Sequence, residues 1–328
     1  MKEIYISHKE EGQRVDKFVR RYFSDAPLSF IYKLFRIKDV KVNNKPVKIS
    51  YILKADDVLK IYVSDEQIQE FVSSRPLIRA PINLKIVYED ENVLIIYKPK
   101  GILVHGDEKE KRLTLANQAL NYLYNKGEYD YNSSSFVPSP AHRLDRNTSG
   151  IVCFGKNMES LQELYELFKT HVEIHKEYIA LLEGRLKKDG TINLPLKKDE
   201  KKGLAYITPL AKGGKEAITK YMILENYIDK TLVKAELITG RFHQLRAHFK
   251  AIGYPICGDT KYGDFEKNKI FSKTYQYKSQ FLYATSLSFG NLNGKLKYLS
   301  NHHFEVELEQ KEEDILTSLR EQKACIRV

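Results

Sequence analysis

Cysteine is scarce in this chain, and the three present, Cys153, Cys257 and Cys325, include no C-x-x-C pair. An odd, scattered set argues against a disulfide framework and a cysteine zinc site, and it fits a reducing cytoplasm. Long apolar stretches are also missing: no uninterrupted run reaches the ~20 residues that a membrane span requires. The opening Met1-Lys2-Glu3-Ile4-Tyr5-Ile6-Ser7-His8 becomes charged too early for a secretory signal. Neither a membrane partner nor export is expected, so the glycosylation-like Asn132-Ser133-Ser134 and Asn147-Thr148-Ser149 are coincidences. Gly213-Gly214-Lys215-Glu216 lacks the spacing and terminal Ser or Thr of a phosphate loop. His171-x-x-x-His175 lacks the Glu of a zinc-protease helix. The expectation is a protein without metal or cofactor.

Acidic residues are in deficit, 43 against 54 basic ones, for a formal net charge of +11. Such a surplus attracts acidic partners, with nucleic acid foremost, although charge alone does not establish one. The chain has 328 residues, 42% of them hydrophobic and 11% aromatic, which argues against disorder and leaves room for two domains. Residues 14–63 read as a compact unit. A helical stretch covers residues 15–23 and a turn covers residues 24–27. A second helix starts at Ser29, which can cap it, with Ile31, Leu34 and Phe35 as its buried stripe, and short strands follow. Its other face carries Lys33, Arg36, Lys38, Lys41, Lys45 and Lys48 against the single acid Asp39. That pattern fits a phosphate-reading surface and an ordinary solvated face equally well.

Residues 64–80 show no clear hydrophobic period and read as a linker. Beyond Pro81, strand-like runs (residues 84–88 and 93–97) alternate with helical ones (residues 161–168), without a strict βαβ rhythm or an internal repeat. The expected class is α+β with a mainly antiparallel mixed sheet, ending in an amphipathic helix over residues 312–319. The resulting division is a small α/β domain in residues 1–72, including the start of the linker, and a larger domain in residues 80–328.

The stretch richest in chemistry is His142-Arg143-Leu144-Asp145-Arg146-Asn147-Thr148-Ser149-Gly150, followed by the apolar Ile151-Val152-Cys153-Phe154. Turn formers leading into a β-prone run put Asp145 on a loop braced by a strand. Two arginines flanking one acid suit a carboxylate that must meet a polyanion. Lys98-Pro99-Lys100-Gly101-Ile102-Leu103-Val104-His105 reads as a loop at a sheet edge, in which His105 fits a packing or backbone-bonding role. Lys176-Glu177-Tyr178-Ile179-Ala180 alternates like a strand, with Tyr178 and Ala180 on one face. After Gly240, the run Arg241-Phe242-His243-Gln244-Leu245-Arg246-Ala247-His248 turns helical, with Phe242 and Arg246 sharing a face.

These segments resemble, in order and spacing, the motifs of the RNA pseudouridine synthases of the large-subunit ribosomal type, and the resemblance covers nearly the whole chain from Arg14 onward. It implies that Asp145 is the catalytic nucleophile and that Arg246 pairs with it. It further implies that Tyr178 stacks on the target uracil and takes part in proton transfer, the latter demanding of its surroundings because a tyrosine pKa is ordinarily ~10. Arg143, His105, Arg241, His243 and Gln244 are its expected RNA-binding or site-orienting residues. Residues 14–63 resemble the S4 RNA-binding domain, which favours the phosphate-reading role for Lys33, Arg36 and Lys41. Where that domain often has glycine, this chain has Asp39, Asn44 and Asp56, residue types that tolerate positive φ. The family commonly has a small residue in place of Phe242 and a histidine near Tyr283, differences that bear on substrate choice.

The resemblance implies isomerisation of specific uridines in large-subunit (23S) ribosomal RNA, free or in a pre-ribosomal particle, by a monomeric enzyme that flips its target base. Transfer RNA is an alternative substrate, and a non-catalytic RNA-binding assembly factor is an alternative role. A small-molecule glycosidase would need a second carboxylate as acid, and no paired-acid motif lies near Asp145.

Overall fold

The computed structural model describes residues 1–72, 78–131 and 136–325. Asn132-Ser133-Ser134 and the Ser73-Ser74-Arg75-Pro76 portion of the expected linker lie outside the described residues. The chain forms two compact units. One comprises Met1–Ile95, His105–Ala141 and Cys153–Tyr165, and the other Ile96–Val104, His142–Val152 and Glu166–Val328.

The first unit begins with a four-stranded antiparallel sheet, ordered Lys2–Tyr5, Val58–Ile61, Val40–Val42, Lys45–Pro46. Helices Val15–Tyr22 and Leu28–Arg36 pack with it because Val15, Phe18 and Val19 on one, and Ile31 and Leu34 on the other, recur at helical spacing. These residues share a core with Val40, Val42, Leu59 and Ile61. The second helix starts one residue before Ser29. Pro27 is its N-cap, at φ −59°, and no side chain caps it, because the proline ring already sets the backbone for helix entry.

Asn44 and Asp56 adopt positive φ, as does Asn43, but at the third position the left-handed residue is Lys38 (φ 63°), not Asp39. Helix termination explains the shift: the Asp39 amide donates back to the Leu34 carbonyl at 2.9 Å, which requires a left-handed residue just before it. The segment read as linker is in part a helix, Asp65–Phe71, opened by a reciprocal capping box between Ser64 and Gln67. Its Ile68 and Phe71, with Val72, pack against the same core. The remainder of this unit includes strand Lys85–Glu89 and helix Leu115–Asn125.

The second unit is built on strands in the order Gly190–Asn193, Ile218–Asn226, Lys230–Leu237, Ile174–Glu183, Leu282–Phe289 and the start of Ser149–Gly155. Neighbours in this series are antiparallel, except that Ser149–Gly155 runs parallel to Leu282–Phe289. The class is therefore α+β with a mainly antiparallel mixed sheet, as the sequence pattern indicates. Gly150 makes the parallel junction possible: at φ +128° its Cα lies so close to Ala284 that a Cβ would sit 2.1 Å from the Ala284 carbonyl oxygen. The terminal helix, Gln310–Cys325, is longer than its sequence pattern suggests and buries Ile315, Leu316 and Leu319 with Leu181, Tyr277 and Phe281. Among the described residues, no helix is long and apolar enough to cross a membrane.

Candidate active site

Asp145 opens a turn closed by the Thr148 amide, which donates to the Asp145 carbonyl at 3.1 Å. Thr148 is buried and its hydroxyl accepts from Gln280 Nε2 at 3.3 Å, so the turn is tied to the residues that lead into strand Leu282–Phe289. From the other side, the Arg146 carbonyl accepts from the Gly101 amide at 2.9 Å and from Lys98 Nζ at 3.1 Å. Lys98 is fully buried and also donates to the carbonyls of Pro99 and Ile102, both at 3.0 Å. Burial lowers its ammonium pKa to about 7, against the opposing pull of the Asp145 charge. One lysine thus stitches the Lys98-Pro99-Lys100-Gly101 loop to the turn that carries Asp145.

The carboxylate is aimed by Arg246, on helix Gln244–Ala251. Its Nη1 donates to Asp145 Oδ2 at 2.9 Å, while Nε and Nη2 fork onto Asp259 at 2.7 and 2.8 Å. Asp259 is wholly buried and also accepts the amides of Lys261 (2.9 Å) and Tyr262 (3.1 Å). Although burial disfavours its charge, the Arg246 guanidinium and these amides hold its carboxyl below the usual range. The planar fork therefore has two edges in use, one clamped to an internal acid and the other presenting Asp145. The asymmetry of exposure matters: the Asp145 side chain is 21% exposed, against 5% for Arg246 and none for Asp259.

His243 occupies the left-handed region (φ 53°) at the N-cap of this helix and brings its Nε2 to 3.6 Å from Asp145 Oδ2. Its Nδ1 lies 3.0 Å from the Tyr262 hydroxyl, which accepts the Ala205 amide at 2.6 Å. The hydroxyl's own proton is then available to Nδ1, which assigns the imidazole proton to Nε2, facing Asp145. Burial lowers the His243 pKa to about 4, so the ring is neutral at ordinary pH. Tyr178 lies on strand Ile174–Glu183 opposite Ala235 and Ala284, and it is buried. Its two small cross-strand neighbours leave the ring without a bulky side chain directly opposite. Burial and then the Asp145 charge push its phenol well above the ordinary tyrosine value.

The remaining sequence candidates are placed differently. Gln244 is buried and makes four bonds within the unit. Its amide nitrogen donates to the Ile218 carbonyl and Thr219 hydroxyl, and its oxygen accepts from Thr239 and the Arg241 amide. It braces the turn before the helix instead of facing outward. Arg241 is exposed and donates through Nε to the Glu216 carbonyl at 2.8 Å. Phe242 precedes the helix and stacks on His243 at 3.7 Å between centroids. Arg143 is exposed, as is His105, which belongs to the first unit. There too, Lys33 and Arg36 are exposed and Lys41 lies over the Tyr62 ring at 4.6 Å. Sequence reasoning assigned no role to Lys98, Asp259 or Tyr262. The Asp259-Thr260-Lys261-Tyr262-Gly263 run was a visible signal, but nothing local in it points to Arg246.

The site is thus one partly exposed acid held on a buried guanidinium fork. Comparison with known proteins gives the enzyme class. The family profile described as RNA pseudouridylate synthase matches residues 92–251. Over 323 residues the chain is 31% identical to ribosomal large subunit pseudouridine synthase C of Vibrio cholerae, covering 97% of this chain and 96% of that one. It is 32% identical over 327 residues to the protein of the same name from Haemophilus influenzae, covering 98% and 96%. Among solved structures, human RNA pseudouridylate synthase domain containing 4 superposes with a TM-score of 0.57 at 23% identity, over 72% of this chain and 92% of that one, a likeness of fold. The chain belongs to the RNA pseudouridine synthases, isomerases that convert uridine in RNA to pseudouridine.

Proposed function

We propose that this chain isomerises specific uridines of large-subunit ribosomal RNA, free or in a pre-ribosomal particle, acting as a cytoplasmic monomer with Asp145 as the nucleophile. The observation that carries this reading is the exposed edge of Asp145 on an otherwise buried Arg246–Asp259 fork. The two relatives named above, similar over nearly the full chain, support ribosomal RNA over transfer RNA.

In the proposed reaction the C1′–N1 bond breaks and its electron pair leaves with the uracil. Positive charge builds on the sugar, where the Asp145 carboxylate stabilises or traps it. The freed ring turns, C5 bonds to C1′, the C5 proton is lost and N1 gains one, so no atoms are gained or lost overall. A uridine within RNA structure must be flipped out to reach Asp145, at a cost of a few kcal/mol met by stacking and phosphate contacts. Tyr178 serves as the stacking wall that retains the uracil between steps. Its raised pKa keeps the phenol protonated at neutral pH and argues against a general-base role in this state. Arg143, Arg241 and His105 are assigned to RNA, as is the Lys33, Arg36 and Lys41 face of the S4-like domain, residues 1–72. Gln244 and His243 act as positioning residues for the Arg246 helix and for Asp145.

The test is a pseudouridine map of ribosomal and transfer RNA from cells lacking this protein, complemented with the wild type or Asp145→Ala. Loss of ribosomal sites, restored by the wild type alone, is the expected result. Loss confined to transfer RNA would move the substrate, and an unchanged map would favour an assembly factor.

A further inference from the structure

Helix Phe265–Tyr275 follows directly on the Asp259 turn and is tied to it by a polar side chain. Asn268 Oδ1 accepts the Gly258 amide at 2.8 Å, and its Nδ2 donates to the Asp259 carbonyl, also at 2.8 Å. The approach is close enough that a Cβ on Gly263 would fall 2.4 Å from the Asp259 carbonyl oxygen and 2.5 Å from Asn268 Nδ2. One face is anchored through buried Phe271, which packs with Leu181, Cys257 and Tyr277. The helix is therefore fixed to the residue that holds the Arg246 fork, and so to the aim of Asp145.

Its other face is unusual in composition. Phe265 is 77% exposed and Ile270 is 66% exposed, in a helix whose charged residues are Lys267, Lys269 and Lys273 against Glu266 alone. The three ammonium groups make no ion pair or hydrogen bond among the described residues. Exposed apolar residues scattered singly are ordinary. Here an exposed aromatic ring is combined with unpaired cations on a helix bonded directly to the Asp259 turn. A ring for a base and cations for phosphates is the chemistry of an unpaired RNA segment.

We propose that the outer face of helix Phe265–Tyr275 docks the RNA flanking the target uridine, with Phe265 stacking an unpaired base and Lys269 and Lys273, four and eight residues on and so on the same side of the helix, meeting its phosphates. This deepens the proposed function and rests on RNA being the substrate. The charge of the face selects a polyanion over a second copy of this basic chain.

The test uses the full-length protein and a large-subunit ribosomal RNA fragment containing the mapped uridine, with affinity read by fluorescence anisotropy and conversion measured separately. Phe265→Ala is expected to weaken binding ~10-fold, about one base stack, with kcat at saturating RNA unchanged, while Phe265→Tyr retains affinity. The double variant Lys269→Ala, Lys273→Ala should also reduce the salt slope of binding, by about one for each phosphate that is no longer neutralised. Affinities of Phe265→Ala and the double variant within twofold of wild type would overturn the proposal. So would a Phe265→Ala protein that changes only from dimer to monomer in sedimentation. Should the wild type bind the fragment without converting it, the substrate assignment fails, while the affinities still decide the docking face.

Discussion

Around Asp145 the charged groups are held by one another: Arg246 and Asp259 are buried and bonded, and Asp145 takes the remaining edge of the guanidinium. On the N-terminal helix Leu28–Arg36 the reverse holds, since Lys33 and Arg36 are exposed and make no ion pair among the described residues. The first arrangement is fixed before any substrate arrives, so its cost of reorganisation during reaction is small. The second leaves charge free to meet phosphates in several geometries. On the proposed function, chemistry is placed where geometry is over-determined, and affinity where it is adaptable.

This contrast predicts changes in kcat from one region and in KM from the other. The largest effect is expected at Asp145. Asp145→Asn should lower single-turnover conversion on the order of 10⁴-fold while RNA affinity is kept, and weakened affinity with normal turnover would erase the contrast. Asp259→Asn should come next, because it leaves a buried guanidinium with one of its acids gone. A loss of about 3 kcal/mol in denaturant unfolding is expected, alongside a lower kcat, and an unchanged midpoint would show that the fork is not structural.

A pH effect follows from His243. Its pKa falls from 6.5 to about 4 on folding, so between those values the unfolded chain binds more protons and stability drops as pH is lowered. The loss levels off below about 4, and His243→Gln should reduce the slope in that window. Equal slopes for the two proteins would remove His243 from the site's electrostatics. Smallest is the combined Lys33→Ala, Arg36→Ala, Lys41→Ala change, expected to raise KM for RNA several-fold at moderate salt, with kcat unchanged.

Much of the centre could be read from residue types in order. Asp145 sits in a turn-rich run before a strand, Tyr178 alternates on a strand, and Arg246 lies on a helix, all as their segments indicate. The partners of these residues were less legible. Arg246 reaches Asp259 across a helix end and a turn, and the three carbonyls around Lys98 come from Pro99, Ile102 and Arg146. Neither arrangement leaves a local pattern. Whether Gln244 faces RNA or orients the site was not legible, because polarity along a sequence does not report burial. Helix Asp65–Phe71 was hidden for another reason: with Ile68 and Phe71 as its apolar residues, it is too short to establish a period.

The aim of one carboxylate by one guanidinium is tested most directly by Arg246→Lys, assayed in single turnover at saturating RNA after its fold and RNA affinity are shown to match the wild type. A lysine offers one point charge and cannot span Asp145 and Asp259 together. Conversion about 10²-fold slower at unchanged affinity is the predicted result. A rate within twofold of wild type would contradict the account.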